Sequence, residues 1–126
     1  MSAPAAPILA VDDSAPIREM IVSVLSSKGY RVLTAADGRE ALQRLRAATE
    51  PYVVLLDIVM PLMDGIAVVR EIESDITLKD AGHRCVLMSS TVRMSQPDVP
   101  RTAGQLAKPF TRQQLTEMVE AIENSL

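Results

Sequence analysis

The stretch Val53-Val54-Leu55-Leu56-Asp57 (residues 53–57) decides the fold. A short, wholly apolar run bounded by polar residues reads as a strand buried on both faces, the kind found inside parallel sheets. Ile8-Leu9-Ala10-Val11 is a second such run, and it is followed directly by Asp12-Asp13. In open α/β sheets, ligands bind beyond the carboxyl ends of the strands. Three carboxylates, Asp12, Asp13 and Asp57, therefore fall where binding chemistry occurs. Gathering them is unfavourable unless a cation joins them or one stays protonated. A hard divalent ion such as Mg²⁺ is the simplest resolution.

Working outward, strands and helices alternate. Ser14 caps a helix that tolerates Pro16 in its first turn. Ile17, Met20, Ile21, Val24 and Leu25 recur at helical spacing along it, and Gly29 ends it. Residues 31–35 are expected to form a second strand. Asp37-Gly38 opens a helix with Ala41, Leu42, Leu45 and Ala48 on its inner face, which Pro51 breaks. Asp64 caps a third helix carrying Ile66, Val69 and Ile72. Residues 74–84 read as polar connection, 85–88 as a fourth strand and 105–107 as a fifth. Thr111 caps the last helix, whose Leu115, Met118, Val119 and Ile122 face inward. Such alternation implies parallel strands with right-handed crossovers and helices on both faces. A helix belongs within residues 91–104, but Pro97 and Pro100 forbid a regular one, so a short or frayed helix or a loop is expected there.

Bulk properties narrow the function. A chain of 126 residues reads as one domain with an ordinary core, and its hydrophobic fraction of 48% agrees. The net charge of −3, with no long basic run, argues against nucleic acid or an anionic membrane as main partner. Aromatics make up only 2%, namely Tyr30, Tyr52 and Phe110, so base stacking is disfavoured. The single Cys85 excludes an internal disulfide and fits a reducing compartment. The start of the chain lacks signal-peptide features, no apolar run has the length of a membrane span, and a cytoplasmic location is expected. His83 sits in a polar stretch and is expected exposed; Cys85 opens a buried strand and reads as core.

Four features converge on the carboxyl edge: Asp12-Asp13, Asp57, Ser90 after the fourth strand, and Lys108 before Pro109-Phe110. In these pieces the chain resembles the receiver domain of two-component response regulators. They are Val11-Asp12-Asp13-Ser14, the run from Leu56-Asp57 through Met60-Pro61-Leu62-Met63 to Asp64-Gly65, Leu87-Met88-Ser89-Ser90, and Lys108-Pro109-Phe110. The order and spacing match over nearly the whole chain. The resemblance implies a flavodoxin-like, doubly wound α/β fold with a five-stranded parallel sheet of order 2-1-3-4-5 and a short or irregular fourth helix. It implies one receiver over residues 7–126, without an output domain; the Ala- and Pro-rich residues 1–6 read from their composition as a disordered lead-in. Asp57 is the phosphoacceptor by this resemblance. Asp12, Asp13, Asp57 and the backbone carbonyl of Val59 hold Mg²⁺. Lys108 and Ser90 contact the phosphoryl group, beside Thr91, and the Lys108–Pro109 peptide is cis. The implied donor is a histidine kinase or a histidine phosphotransfer protein, and the implied function is that of a signalling switch, not a turnover enzyme.

Three departures stand out. Gln105 occupies a place where many receivers carry Tyr or Phe, so ring rotation cannot relay the signal. Thr91 stands where a smaller residue is usual. The span from Ser90 to Lys108 is short. These point to a change of order in residues 91–104 on phosphorylation. Val59 and Val92, two residues past Asp57 and Ser90, are apolar and cannot orient an attacking water, which implies a long-lived phosphoryl state. A phosphatase that also uses an aspartyl nucleophile needs a second Asp where Val59 stands. A nucleotide-binding domain needs a Gly-rich phosphate loop that is missing. A pseudo-receiver that never gains phosphate, and a phosphate sink or relay intermediate, are the remaining alternatives.

Overall fold

A computed structural model describes residues 5–125. In chain order the elements are β1 (Ile8–Val11), α1 (Ala15–Ser27), β2 (Val32–Ala35), α2 (Gly38–Arg46), β3 (Val53–Asp57), α3 (Gly65–Ser74), α4 (Ile76–Asp80), β4 (Arg84–Ser89), α5 (Thr91–Met94), β5 (Gly104–Ala107) and α6 (Arg112–Asn124). All pairings are parallel, and the strand order is β2-β1-β3-β4-β5. This is the flavodoxin-like sheet expected from the sequence.

Both apolar runs are buried because the sheet is covered on each side. Leu9, Val11, Val54, Leu56, Cys85 and Leu87 point to the face of α2 and α3. Ile8, Ala10, Val53, Leu55, Val86 and Met88 point to the face of α1 and α6, where they meet Ile21, Leu25, Leu115 and Val119. Each large side chain so enclosed contributes roughly 1.5–3 kcal/mol. Every helix start is capped by a side chain accepting a backbone N–H: Ser14 from Ile17, Asp37 from Glu40, Asp64 from Ala67, Asp75 from Thr77 and Leu78, Ser90 from Arg93, and Thr111 from Gln114. A cap of this kind is worth about 1 kcal/mol.

The structure corrects several expectations. Residues 74–84 are not mere connection: Ser74 completes α3, and α4 follows from the Asp75 cap. One turn carries only one buried residue, Leu78, at 2% exposure, so no repeating apolar pattern announces it. Ala48 lies beyond α2, whose end is capped at Ala47. The second strand starts one residue later than expected, the fourth is longer by one residue at each end, and the fifth starts one residue earlier. His83 is half-buried rather than exposed, because its Nδ1 accepts the Tyr52 N–H at 3.0 Å.

Residues 91–104 hold a single helical turn, α5, then a loop that ends where Gly104 begins β5. Arg93 forks onto both carboxylate oxygens of Asp98 at 2.9 and 3.0 Å and closes that loop locally. Of the lead-in, residues 1–4 lie outside the described residues. Ala5 and Ala6 are tied down, the first accepting from Arg31 and the second donating to Glu123.

Candidate functional site

Sheet register assembles the site. Val11 pairs with Leu56, so the residues that follow, Asp12 and Asp57, emerge side by side. Ser89 pairs with Ala107, so Ser90 and Lys108 emerge together at the same edge. One carboxylate oxygen from each of Asp12, Asp13 and Asp57 lies within 4.8 Å of the other two. Lys108 Nζ donates to Asp12 Oδ2 at 2.6 Å and lies 3.4 Å from Asp57 Oδ1. The Lys108–Pro109 peptide is cis.

The electrostatics follow from burial. Asp12 is fully buried and Asp57 is 4% exposed, while Asp13 faces solvent. Desolvation first, and the charge of Asp12 second, push the Asp57 carboxyl up to about 6; Lys108 and the Val59 N–H pull the other way and only partly offset them. Burial disfavours the Lys108 ammonium, but the hydrogen bond to Asp12 and the fields of Asp57 and Asp12 outweigh it and raise its pKa. Three carboxylates thus face one ammonium, which leaves room for a divalent charge. The donors are hard oxygens, the set that suits Mg²⁺.

The loop after Asp57 is held by close backbone contact. Gly65 N–H donates to the Ile58 carbonyl at 3.0 Å. A Cβ on Gly65 would overlap the Asp57 carbonyl oxygen, so no other residue fits without displacing the end of β3. Leu62 takes a positive φ of 68°, an unfavourable conformation for a side-chain-bearing residue. It stands 77% exposed; Val59, in the same loop after β3, is 61% exposed, and Val92, on α5, is 73% exposed.

The other predicted residues divide. Ser90 is exposed, and its Oγ accepts the Arg93 N–H at 3.1 Å, which leaves its hydroxyl hydrogen uncommitted. Thr91 is exposed at the first position of α5. Gln105 is exposed on β5, beside Leu87 in register. His83 precedes β4, at the opposite end of that strand from Ser90, and stays apart from the acidic cluster. Cys85 is buried, and desolvation first, then the charge of Glu73, push its thiol up to about 12. One participant is absent from the sequence reading: Arg18 Nη1 donates to the Asp12 carbonyl at 2.7 Å. Its signal was present, a cation one helical turn past the Ser14 cap and hence back over the acidic pair.

The chain belongs to the response regulator receiver domain family, whose model matches residues 8–120. Among curated proteins it is similar to response regulator MprA of Mycolicibacterium vanbaalenii, 37% identical over 122 residues that cover 91% of this chain and 49% of that protein. It is also similar to a probable transcriptional regulator, ycf27, of Guillardia theta, 48% identical over 68 residues covering 54% of this chain and 26% of that one. The chain spans about half or less of the length of these curated relatives. Among solved structures it resembles the chemotaxis response regulator CheY4 of Vibrio cholerae, with 31% identity, TM-score 0.82, and coverage of 94% and 98% of the two chains. It also resembles TrrA of Thermotoga maritima, solved in complex with Mg²⁺ and BeF, with 31% identity, TM-score 0.80, and coverage of 93% and 98%. Among the described residues, no helix is long and apolar enough to cross a membrane.

Proposed function

We propose that this chain is a phosphorylation-controlled switch that accepts a phosphoryl group on Asp57 from a histidine kinase or a histidine phosphotransfer protein. The observation that carries the reading is the convergence of Asp12, Asp13 and Asp57 within 4.8 Å, with Lys108 Nζ 3.4 Å from the acceptor oxygen. Asp12, Asp13, Asp57 and the Val59 carbonyl would hold Mg²⁺, which supplies charge neutralisation across the carboxylate and phosphoryl oxygens. An Asp57 oxygen forms the bond to phosphorus, the phosphorus–nitrogen bond of the donor histidine breaks, and its electron pair returns to the imidazole. Lys108 pairs with the incoming phosphoryl group. The free hydroxyl hydrogen of Ser90 is available to donate to a phosphoryl oxygen.

The chain is a switch rather than a phosphatase, because Val59 stands where a second carboxyl would be needed to protonate a leaving group. Its acidic balance supports a protein partner for this domain over nucleic acid or a membrane. Ser90 also caps α5, so drawing it toward the phosphoryl group loosens a one-turn helix and alters residues 91–104. A role as phosphate sink or relay intermediate is the second reading, favoured by Gln105, which offers no ring to report the phosphorylated state.

Acetyl phosphate with Mg²⁺ tests the reading. The intact protein is expected to gain the mass of one phosphoryl group, and Asp57→Asn is expected to gain none. No gain, or equal gain by both, refutes it. Backbone NMR with a beryllofluoride mimic tests the coupling; unchanged shifts across residues 91–104 refute that part alone.

A further inference from the structure

Asp12 has every polar group engaged. Its N–H donates to the Ala35 carbonyl at 3.2 Å, its Oδ1 accepts the Ser14 N–H at 2.9 Å, and its Oδ2 accepts Lys108 at 2.6 Å. Its own carbonyl, just past the end of β1, accepts Nη1 of Arg18 at 2.7 Å. Asp13 is the contrast. Its side chain is exposed, and among the described residues no donor is paired with its carboxylate. The peptide joining it to Asp12 therefore fixes the backbone from which that carboxylate projects. Arg18 is the group that holds that peptide's carbonyl.

The choice of acceptor matters. A guanidinium beside three carboxylates could fork onto one of them and occupy the oxygens a metal needs. Arg18 binds a backbone carbonyl instead and takes none of those oxygens. It is itself fixed, half-buried on α1, with its N–H donating to the Ser14 carbonyl at 3.0 Å. We propose that Arg18 is a positioning residue of the metal site: it grips the Asp12 carbonyl, fixes the Asp12–Asp13 peptide, and so presents the otherwise unheld Asp13 carboxylate to a divalent ion. This rests on the receiver reading above.

Charge and position predict opposite signs. As a nearby cation alone, Arg18 repels a divalent ion, and removing it tightens metal binding. As a positioning group, its loss weakens binding, because groups that orient metal ligands typically hold tenfold or more of the affinity. Isothermal titration of Mg²⁺ into the full chain and into Arg18→Met decides between them. Arg18→Met is expected to raise the dissociation constant about tenfold. An equal or lower constant overturns the proposal, and so does a lowered unfolding temperature in EDTA with an unchanged constant.

The parent and Asp13→Asn are titrated alongside. A parent that binds no Mg²⁺ sinks the receiver reading itself; a parent that binds, with Arg18→Met matching it, sinks only this inference. If Arg18→Met does not fold, the Arg18 guanidinium protons of the Mg²⁺-loaded parent provide the readout by ¹⁵N NMR. Slow exchange is expected, and free rotation with fast exchange overturns the proposal.

Discussion

Replacing Asp57 with Asn should stabilise the metal-free protein at neutral pH. Asp57 is 4% exposed, adjacent to the buried Asp12, and its carboxyl is pushed from an ordinary value of 3.8 up to about 6 by desolvation and that neighbouring charge. At pH 7 the side chain is ionised in both the folded and the unfolded chain. Keeping it ionised in the folded state then costs about 1.4 kcal/mol for each pH unit separating the two pKa values, or about 3 kcal/mol in all. Asn mimics the neutral form and escapes that penalty. The sign of the pH dependence follows. Between pH 4 and 6 the folded chain retains a proton that the unfolded chain has lost, so the parent loses stability from this group as pH rises through that window. The advantage of Asp57→Asn should be full at pH 7 and should vanish near pH 4. Thermal unfolding in EDTA measures it, with an expected difference on the order of 10 °C at pH 7 for a domain of this size. Adding Mg²⁺ should raise the parent and narrow the gap. A parent as stable as Asp57→Asn at pH 7, or a gap that does not shrink on acidification, would refute the claim that these carboxylates crowd one another.

Other perturbations test the frame around Asp57. Gly65→Ala forces a Cβ into the Asp57 carbonyl and should cost about 1–3 kcal/mol in urea unfolding, with shifted amides from Asp57 to Gly65; a cost near zero would mean that the loop gives way freely. Burial holds His83 below its usual 6.5, so its neutral form favours folding. That contribution is complete above about pH 6.5 and is lost as pH falls below it. His83→Gln should flatten this part of the stability profile, and an unchanged acid slope would contradict the assignment. Val59 and Val92 offer no group to orient water, so the phosphoryl state should persist for minutes or more. Val59→Asn should hasten its hydrolysis about tenfold or more, read by the decay of the phosphorylated mass; decay of the parent within seconds would count against the argument.

Much of this molecule is written in local patterns. Buried parallel strands must be apolar on both faces, so residues 8–11 and 53–56 declare themselves without any knowledge of their neighbours. The caps Ser14, Asp37, Asp64 and Thr111 are legible for the same reason: a helix start leaves N–H groups that only a nearby side chain can satisfy. The acidic residues and Lys108 follow from their places at strand ends, and the order of these motifs carries the family resemblance. Tertiary structure alone decided how these pieces meet. The pairing of Val11 with Leu56 brings Asp12 beside Asp57, and register depends on packing of whole strands rather than on any local run. Burial depends on what folds over a residue, which is why Asp12 and Asp57 are enclosed while Asp13 is open, and why the Asp57 carboxyl is raised. It also explains α4, where one buried Leu78 and one cap make a turn that no periodicity could announce, and Arg18, whose grip on the Asp12 carbonyl exists only once α1 has folded back over the end of β1.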